Sequence, residues 1–231
     1  MRATSRPRVK ICCISNVEEA WTAIRCGASA LGLVSKMPSG PGVISEELIV
    51  EIAASVPPPI ATFLLTSSQH AEEIIAQQQR CRTNTLQLCD RLRSDAYHDL
   101  RRAMPGIAIV QVVHVTGEES VAEALAAAGQ VDAILLDSGN QSLPVKELGG
   151  TGRIHDWSLS RRIREQVGVP VFLAGGLKAE NVTDAIRQVG PFGLDVCSGV
   201  RTDGKLDEHK LARFFAPLRE ATEKTSKTDG D

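Results

Sequence analysis

Two residues of this 231-residue chain have types and positions suited to proton transfer. Cys12 closes the first apolar run of the sequence and Asp137 closes the sixth. A thiolate can withdraw a proton and a carboxylic acid can deliver one, provided the surroundings bring each pKa towards the working pH. Position alone does not assign those roles. A cysteine in an apolar run ordinarily packs as a small hydrophobe, and an aspartate after a strand ordinarily caps a loop or helix.

Three glycine-containing turns add a second kind of chemistry: Gly149-Gly-Thr-Gly152, Ala174-Gly-Gly-Leu177 and Ser198-Gly-Val200. The last two follow the seventh and eighth apolar runs. That is where barrel proteins often hold a phosphate on backbone N–H groups and the N-terminus of a short helix. Gly175, Gly176, Ser198 and Gly199 are therefore the expected phosphate-binding residues. A double glycine alone would serve equally as a tight turn; placement after two adjacent late strands favours the anion.

The elements that must position these residues alternate along the chain. Short Val/Ile/Leu-rich runs occupy Val9–Cys12, Ala30–Val34, Ile60–Leu65, Thr85–Leu88, Ile107–Val113, Ala133–Leu136, Val169–Ala174 and Gly193–Cys197. Between them lie amphipathic stretches of helical period. Three end at a glycine suited to the left-handed conformation that closes a helix: Val17–Arg25 at Gly27, Val121–Ala128 at Gly129 and Val182–Val189 at Gly190. Runs without polar alternation are strands buried on both faces, so eight repeats imply an α/β fold, a single closed (β/α)8 barrel over residues 1–221. An open doubly wound sheet is the structural alternative. The polar stretch 222–231 reads as a disordered tail.

Composition narrows the function classes. Aromatic residues make up only 3% of the chain, so the core must be aliphatic, as barrel interiors are. The net charge of −2 comes with no strongly basic stretch, which argues against a nucleic-acid partner. No window approaches the roughly 18 apolar residues of a membrane span, so no membrane partner and a cytoplasmic location are expected. Six cysteines (Cys12, Cys13, Cys26, Cys81, Cys89 and Cys197) show no C-x-x-C pair, which argues against zinc and for a reducing compartment. If Cys12 and Cys13 continue the first strand, they point to opposite faces and only one meets the barrel interior.

The motifs together resemble the phosphoribosylanthranilate isomerase family of tryptophan biosynthesis. Val9-Lys-Ile-Cys-Cys-Ile-Ser15 is similar to its Lys-Ile-Cys-Gly opening, Leu135-Leu-Asp-Ser138 to its sixth-strand motif, and Gly149-Gly-Thr-Gly-Arg-Ile-His-Asp-Trp157 to its glycine loop. Leu173-Ala-Gly-Gly-Leu177, Asn181-Val, Asp195-Val-Cys-Ser-Gly-Val200 and Gly204-Lys…Asp207…Lys210…Phe214 follow in the family's order. The resemblance implies a cofactor-free Amadori rearrangement of a phosphorylated small-molecule substrate by a monomer or homodimer. It makes Cys12 the base that takes the C2 proton and Asp137 the acid that protonates the ring oxygen.

Departures from the family pattern cluster at the expected substrate end. Gly42 stands where the resemblance expects an arginine that holds the anthranilate carboxylate. Cys13 replaces a glycine, Cys89-Asp90 replaces His-Gly, and Arg201 replaces an acidic residue. Lys36 and Arg201 are the expected substitute cations, and with Gly149 and Gly150 they complete the expected substrate-contacting set. His155 is expected to begin a helix and His114 to close the fifth strand. The departures also leave two other readings: a barrel paralogue acting on a different phosphosugar, or a non-catalytic phosphosugar-binding protein.

Overall fold

The structure, a computed structural model, describes residues 7–226. Eight parallel strands close on themselves: β1 (Arg8–Ile11), β2 (Ala30–Val34), β3 (Ala61–Thr66), β4 (Thr85–Leu88), β5 (Ala108–His114), β6 (Ala133–Asp137), β7 (Val171–Leu173) and β8 (Gly193–Val196). Every run read from the sequence is a strand, displaced by at most two residues at either end. Helices follow in alternation: α1 (Val17–Cys26), α2 (Glu46–Ser55), α3 (Ala71–Cys81), α4 (Ser94–Ala103), α5 (Glu119–Ala128), α6 (Trp157–Gln166), α7 (Val182–Val189) and α8 (Glu208–Ser226). The chain is thus a (β/α)8 barrel, and the open sheet is excluded by the β1–β8 ladder that pairs Lys10 with Asp195.

Strand alternation sorts side chains into two apolar regions. Val9, Ile11, Leu31, Leu33, Ile134 and Leu136 face the helices. Ala30, Val34, Phe63, Leu65, Val110, Val112, Ala133, Leu135 and Phe172 fill the barrel. Burying each Leu or Ile contributes about 1.5–3 kcal/mol, enough to make the two-sided strand pattern decisive. Inside the barrel Phe172 meets Phe63 edge-on at a centroid distance of 6.0 Å.

The ends of α1 and α7 follow the expected glycine closure, and that of α5 does not. Asn16 caps α1 by accepting from the Glu19 N–H at 2.8 Å, and Gly27 and Gly190 close α1 and α7 with φ of +115° and +64°. Gly129 does not behave as expected: its φ is −73°, and the chain continues into a turn in which Gln130 N–H donates to Ala127 O. That tighter turn needs no left-handed residue. The last helix reaches Ser226, so residues 222–226 of the expected tail are helical, while 227–231 lie outside the described residues. Among the described residues, no helix is long and apolar enough to cross a membrane.

Candidate active site

The C-terminal ends of the strands surround a cavity of about 70 Å³. Cys12 and Asp137 both line it, together with Gly149–Gly152, Gly175, Gly176 and Ser198. The expected base, acid and most of the expected phosphate residues therefore share one chamber, although β1 and β6 are separated by more than 120 residues of chain. Gly199 lies beside it, in an adjoining cavity shared with Gly176, Ser198, Lys178, Lys210 and Arg213.

Cys12 follows β1 and is 7% exposed. Beneath it lies Lys10, fully buried, its Nζ 2.9 Å from Asp195 Oδ2 and 5.3 Å from the Phe63 ring centroid. Burial works to strip the proton from Lys10, but Asp195 and the thiols of Cys12 and Cys13 outweigh it and hold the pKa above the usual lysine value. Asp195 is pushed up by burial, with Lys10 opposing. For Cys12 the leading influence is the neighbouring Cys13 side chain, which lowers the pKa; burial opposes it, and the Lys10 charge lowers it further. The net direction is towards thiolate, while Cys13 itself is held as a thiol by its bonds to Cys12 and Cys197 and by burial.

Cys13 corrects the expectation of opposite facings. The strand ends at Ile11, and Cys13 adopts a left-handed φ of +63°, so both cysteines line the cavity. Strand alternation no longer applies past the last strand residue. Its Sγ lies 2.8 Å from Cys197 Sγ and 3.6 Å from Pro41 O.

Asp137 ends β6, its Oδ1 accepting the Ser138 N–H at 2.7 Å. The glycine loop lies directly over it. A Cβ at Gly149, where φ is +124°, would come within 2.6 Å of Asp137 Oδ2, so only glycine lets the backbone close over the carboxyl group. Ser138 Oγ meets Thr151 Oγ1 at 2.7 Å, and Ser39 Oγ donates to Lys146 O at 2.6 Å, so the loops after β2 and β6 meet as a roof. At the phosphate end Gly175 and Gly176 have φ of +83° and +63°, and a Cβ at Gly199 would collide with the Leu177 carbonyl oxygen.

The two expected substitute cations stand outside the cavity. Lys36 is exposed and lines a separate groove with Met37, Glu73 and Arg80. Arg201 is buried and committed: it pairs with Glu19 through both terminal nitrogens at 3.1 Å and donates to Cys12 O at 3.3 Å and Cys13 O at 2.5 Å. Its structural part is to hold the backbone that carries both cysteines. His114 does close β5, its Nε2 3.2 Å from Cys89 O. His155 precedes α6, with Asp156 as the cap; burial lowers its pKa to about 4, so it is neutral near pH 7.

Sequence reasoning missed Lys10 and Asp195. A signal was present, since each is a charged residue inside a strand buried on both faces, which requires a partner. Naming the partner required the seam between β1 and β8.

Comparison with known proteins agrees with this arrangement. Residues 9–217 match the family model described as N-(5'-phosphoribosyl)anthranilate (PRA) isomerase. The N-(5'-phosphoribosyl)anthranilate isomerase 2 of Methanosarcina mazei is 38% identical over 209 residues, covering 90% of this chain and 92% of that protein. The isomerase of Haloferax volcanii is 35% identical, with 90% of each chain covered. Among solved structures, phosphoribosyl anthranilate isomerase from Thermotoga maritima superimposes with a TM-score of 0.77 at 31% identity, covering 93% of this chain and 99% of that one. A phosphoribosyl anthranilate isomerase in complex with reduced 1-(o-carboxyphenylamino)-1-deoxyribulose 5-phosphate gives a TM-score of 0.74 at 29% identity, with 94% and 99% covered. With a family match across nine-tenths of its length, this chain belongs to the N-(5'-phosphoribosyl)anthranilate isomerase family.

Proposed function

We propose that this protein catalyses the Amadori rearrangement of N-(5'-phosphoribosyl)anthranilate to its 1-deoxyribulose 5-phosphate isomer, with Asp137 as general acid and Cys12 as general base. The observation that carries the reading is the opening of both groups into one cavity whose far wall is the pair of glycine turns after β7 and β8.

Asp137 donates its proton to the furanose ring oxygen; the C1–O bond breaks and the nitrogen lone pair forms the C1=N bond of an open-chain iminium. Cys12 thiolate then takes the C2 proton, and the C–H electron pair moves into C1–C2 as the iminium π pair returns to nitrogen. The resulting enol tautomerises to the C2 ketone. C2 is oxidised and C1 reduced within one molecule, so atoms and electrons balance with no external redox partner.

This division of labour needs a thiolate and a protonated carboxyl group in the same chamber. Lys10 and Cys13 favour the thiolate. Gly175, Gly176, Ser198 and Gly199 hold the phosphate through backbone N–H groups, while Lys178 and Lys210 beside them supply positive potential. Anchoring one end of the substrate places the sugar between acid and base. Roofing by the loops after β2 and β6 keeps water from the iminium.

The test is loss of anthranilate fluorescence on freshly prepared substrate. Cys12→Ala and Asp137→Asn should each lower kcat by roughly 10²–10⁴-fold. Unchanged rates in both variants would refute the assigned roles.

A further inference from the structure

Among the described residues, the cavity around Cys12 and Asp137 is lined by no lysine, arginine or histidine, and its only charged lining residues are Asp137 and Asp195. Lys36 faces a separate groove, and the other nearby cations are engaged elsewhere. Lys10 is on Asp195, Arg201 on Glu19, Lys146 on Asp90 at 2.5 Å, and Arg153 on Glu147. Away from the turns, Val34, Met37, Leu65, Cys89 and Leu148 line the cavity and belong to one cluster of apolar and sulfur-bearing groups, beside the uncharged Gln87. Such a cluster suits an aromatic ring and offers a carboxylate no counter-charge.

The absence of a cation has a local structural cause. Gly42 has a φ of +80°, and a Cβ placed there would land on the Cys13 side chain, 2.9 Å from Sγ and 3.0 Å from the Cys13 Cα. Cys13 in turn occupies the left-handed region at φ +63°, an uncommon state for a residue with a side chain. Each residue thus accommodates the other. The thiol fills the space from which a side chain at position 42 would enter the cavity, and Pro41 O and Cys197 Sγ hold it there.

We propose that Cys13 and Gly42 act as a coupled pair that sets specificity at the aryl end, so that the enzyme accepts N-aryl phosphoribosylamines as a class, with or without an aryl carboxylate. The proposal rests on the isomerase reading. Ring contact and phosphate anchoring supply the selection, and no ion pair to the aryl group contributes.

The test compares kcat/KM for N-(5'-phosphoribosyl)anthranilate and N-(5'-phosphoribosyl)aniline, each made fresh. Both share the ring-opening and C2-proton steps, so the ratio isolates the carboxylate even if a variant alters Cys12. The expected ratio for the unaltered protein is within about tenfold, whereas a charge-assisted contact would give roughly tenfold to a hundredfold or more. Gly42→Arg alone should lower turnover of both compounds. Cys13→Gly with Gly42→Arg should turn over faster than Gly42→Arg alone and raise discrimination for the carboxylate by about tenfold or more. Cys13→Gly alone, which suits a left-handed position, should fold and leave the ratio near its original value.

A hundredfold preference for the carboxylate in the unaltered protein would overturn the proposal. So would a selective loss of anthranilate turnover in Lys146→Ala or Arg153→Ala, which would identify the missing cation. Turnover of neither compound would instead refute the isomerase reading itself.

Discussion

Asp195→Asn should destabilise the fold strongly, because it removes the counter-charge from a lysine that has no access to water. Lys10 and Asp195 meet at 2.9 Å with side-chain exposures of 0% and 8%. Asparagine keeps the shape and one oxygen acceptor, so the perturbation is the charge. Leaving one member of a buried pair unmatched costs about 3–5 kcal/mol. For a domain of this size, 1 kcal/mol corresponds to about 2–4 °C, so Tm should fall by about 6–20 °C. The sign with pH follows from the direction of each shift. In the parent protein the Lys10 pKa is raised, so its contribution is fully present below the unfolded lysine value near 10.4 and lost only above the folded value. In the variant burial is opposed only by Cys12 and Cys13, and the Lys10 pKa should fall. The deficit should therefore shrink as pH rises from 7 towards 10. Urea unfolding across that range, with the slope m checked for constancy, reads both effects. Lys10→Met combined with Asp195→Asn should be less destabilised than the sum of the single changes. A loss under about 1 kcal/mol at pH 7, unchanged by pH, would refute the buried-pair reasoning.

Four further outcomes are expected. Cys13→Ala removes the side chain that most lowers the Cys12 pKa and should move the alkylation of Cys12 by iodoacetamide to higher pH; an unmoved pH profile would remove Cys13 from thiolate control. Gly199→Ala forces a Cβ onto the Leu177 carbonyl and should raise KM roughly tenfold to a hundredfold by displacing phosphate donors, with weaker competition by inorganic phosphate. Gly129→Ala, at φ −73° with open space for its Cβ, should stabilise by about 0.4–1 kcal/mol in urea. Gly190→Ala, at φ +64°, should destabilise by about 1–2 kcal/mol, and equal effects at the two glycines would contradict the assigned conformations.

The barrel was legible because its strands are buried on both faces. Ala30–Val34 and Ala133–Leu136 carry no polar alternation, and the intervening helices carry the opposite pattern, so local composition alone implied eight βα units. The chemistry-bearing ends were legible for the same reason: Cys12, Asp137 and the turns at Gly175 and Ser198 stand where the apolar runs stop. The expectations that failed depended on backbone direction or on distant neighbours. Gly129 follows a helix as Gly27 and Gly190 do, yet a tight turn after α5 removed the need for a left-handed residue.

The sequence by itself determined eight βα units and which residues end each strand, because hydrophobic period and glycine placement are local properties; closure into a barrel rests on the β1–β8 ladder. Only the tertiary structure decided what each charge does. Closure of β1 on β8 spends Lys10 on Asp195, and the turn after β8 spends Arg201 on Glu19 and the Cys12–Cys13 backbone. The left-handed turn at Cys13 brings a second thiol into the chamber, against the space at Gly42. A buried charge takes the partner that folding brings within about 3 Å, and chain order says little about which residue that will be.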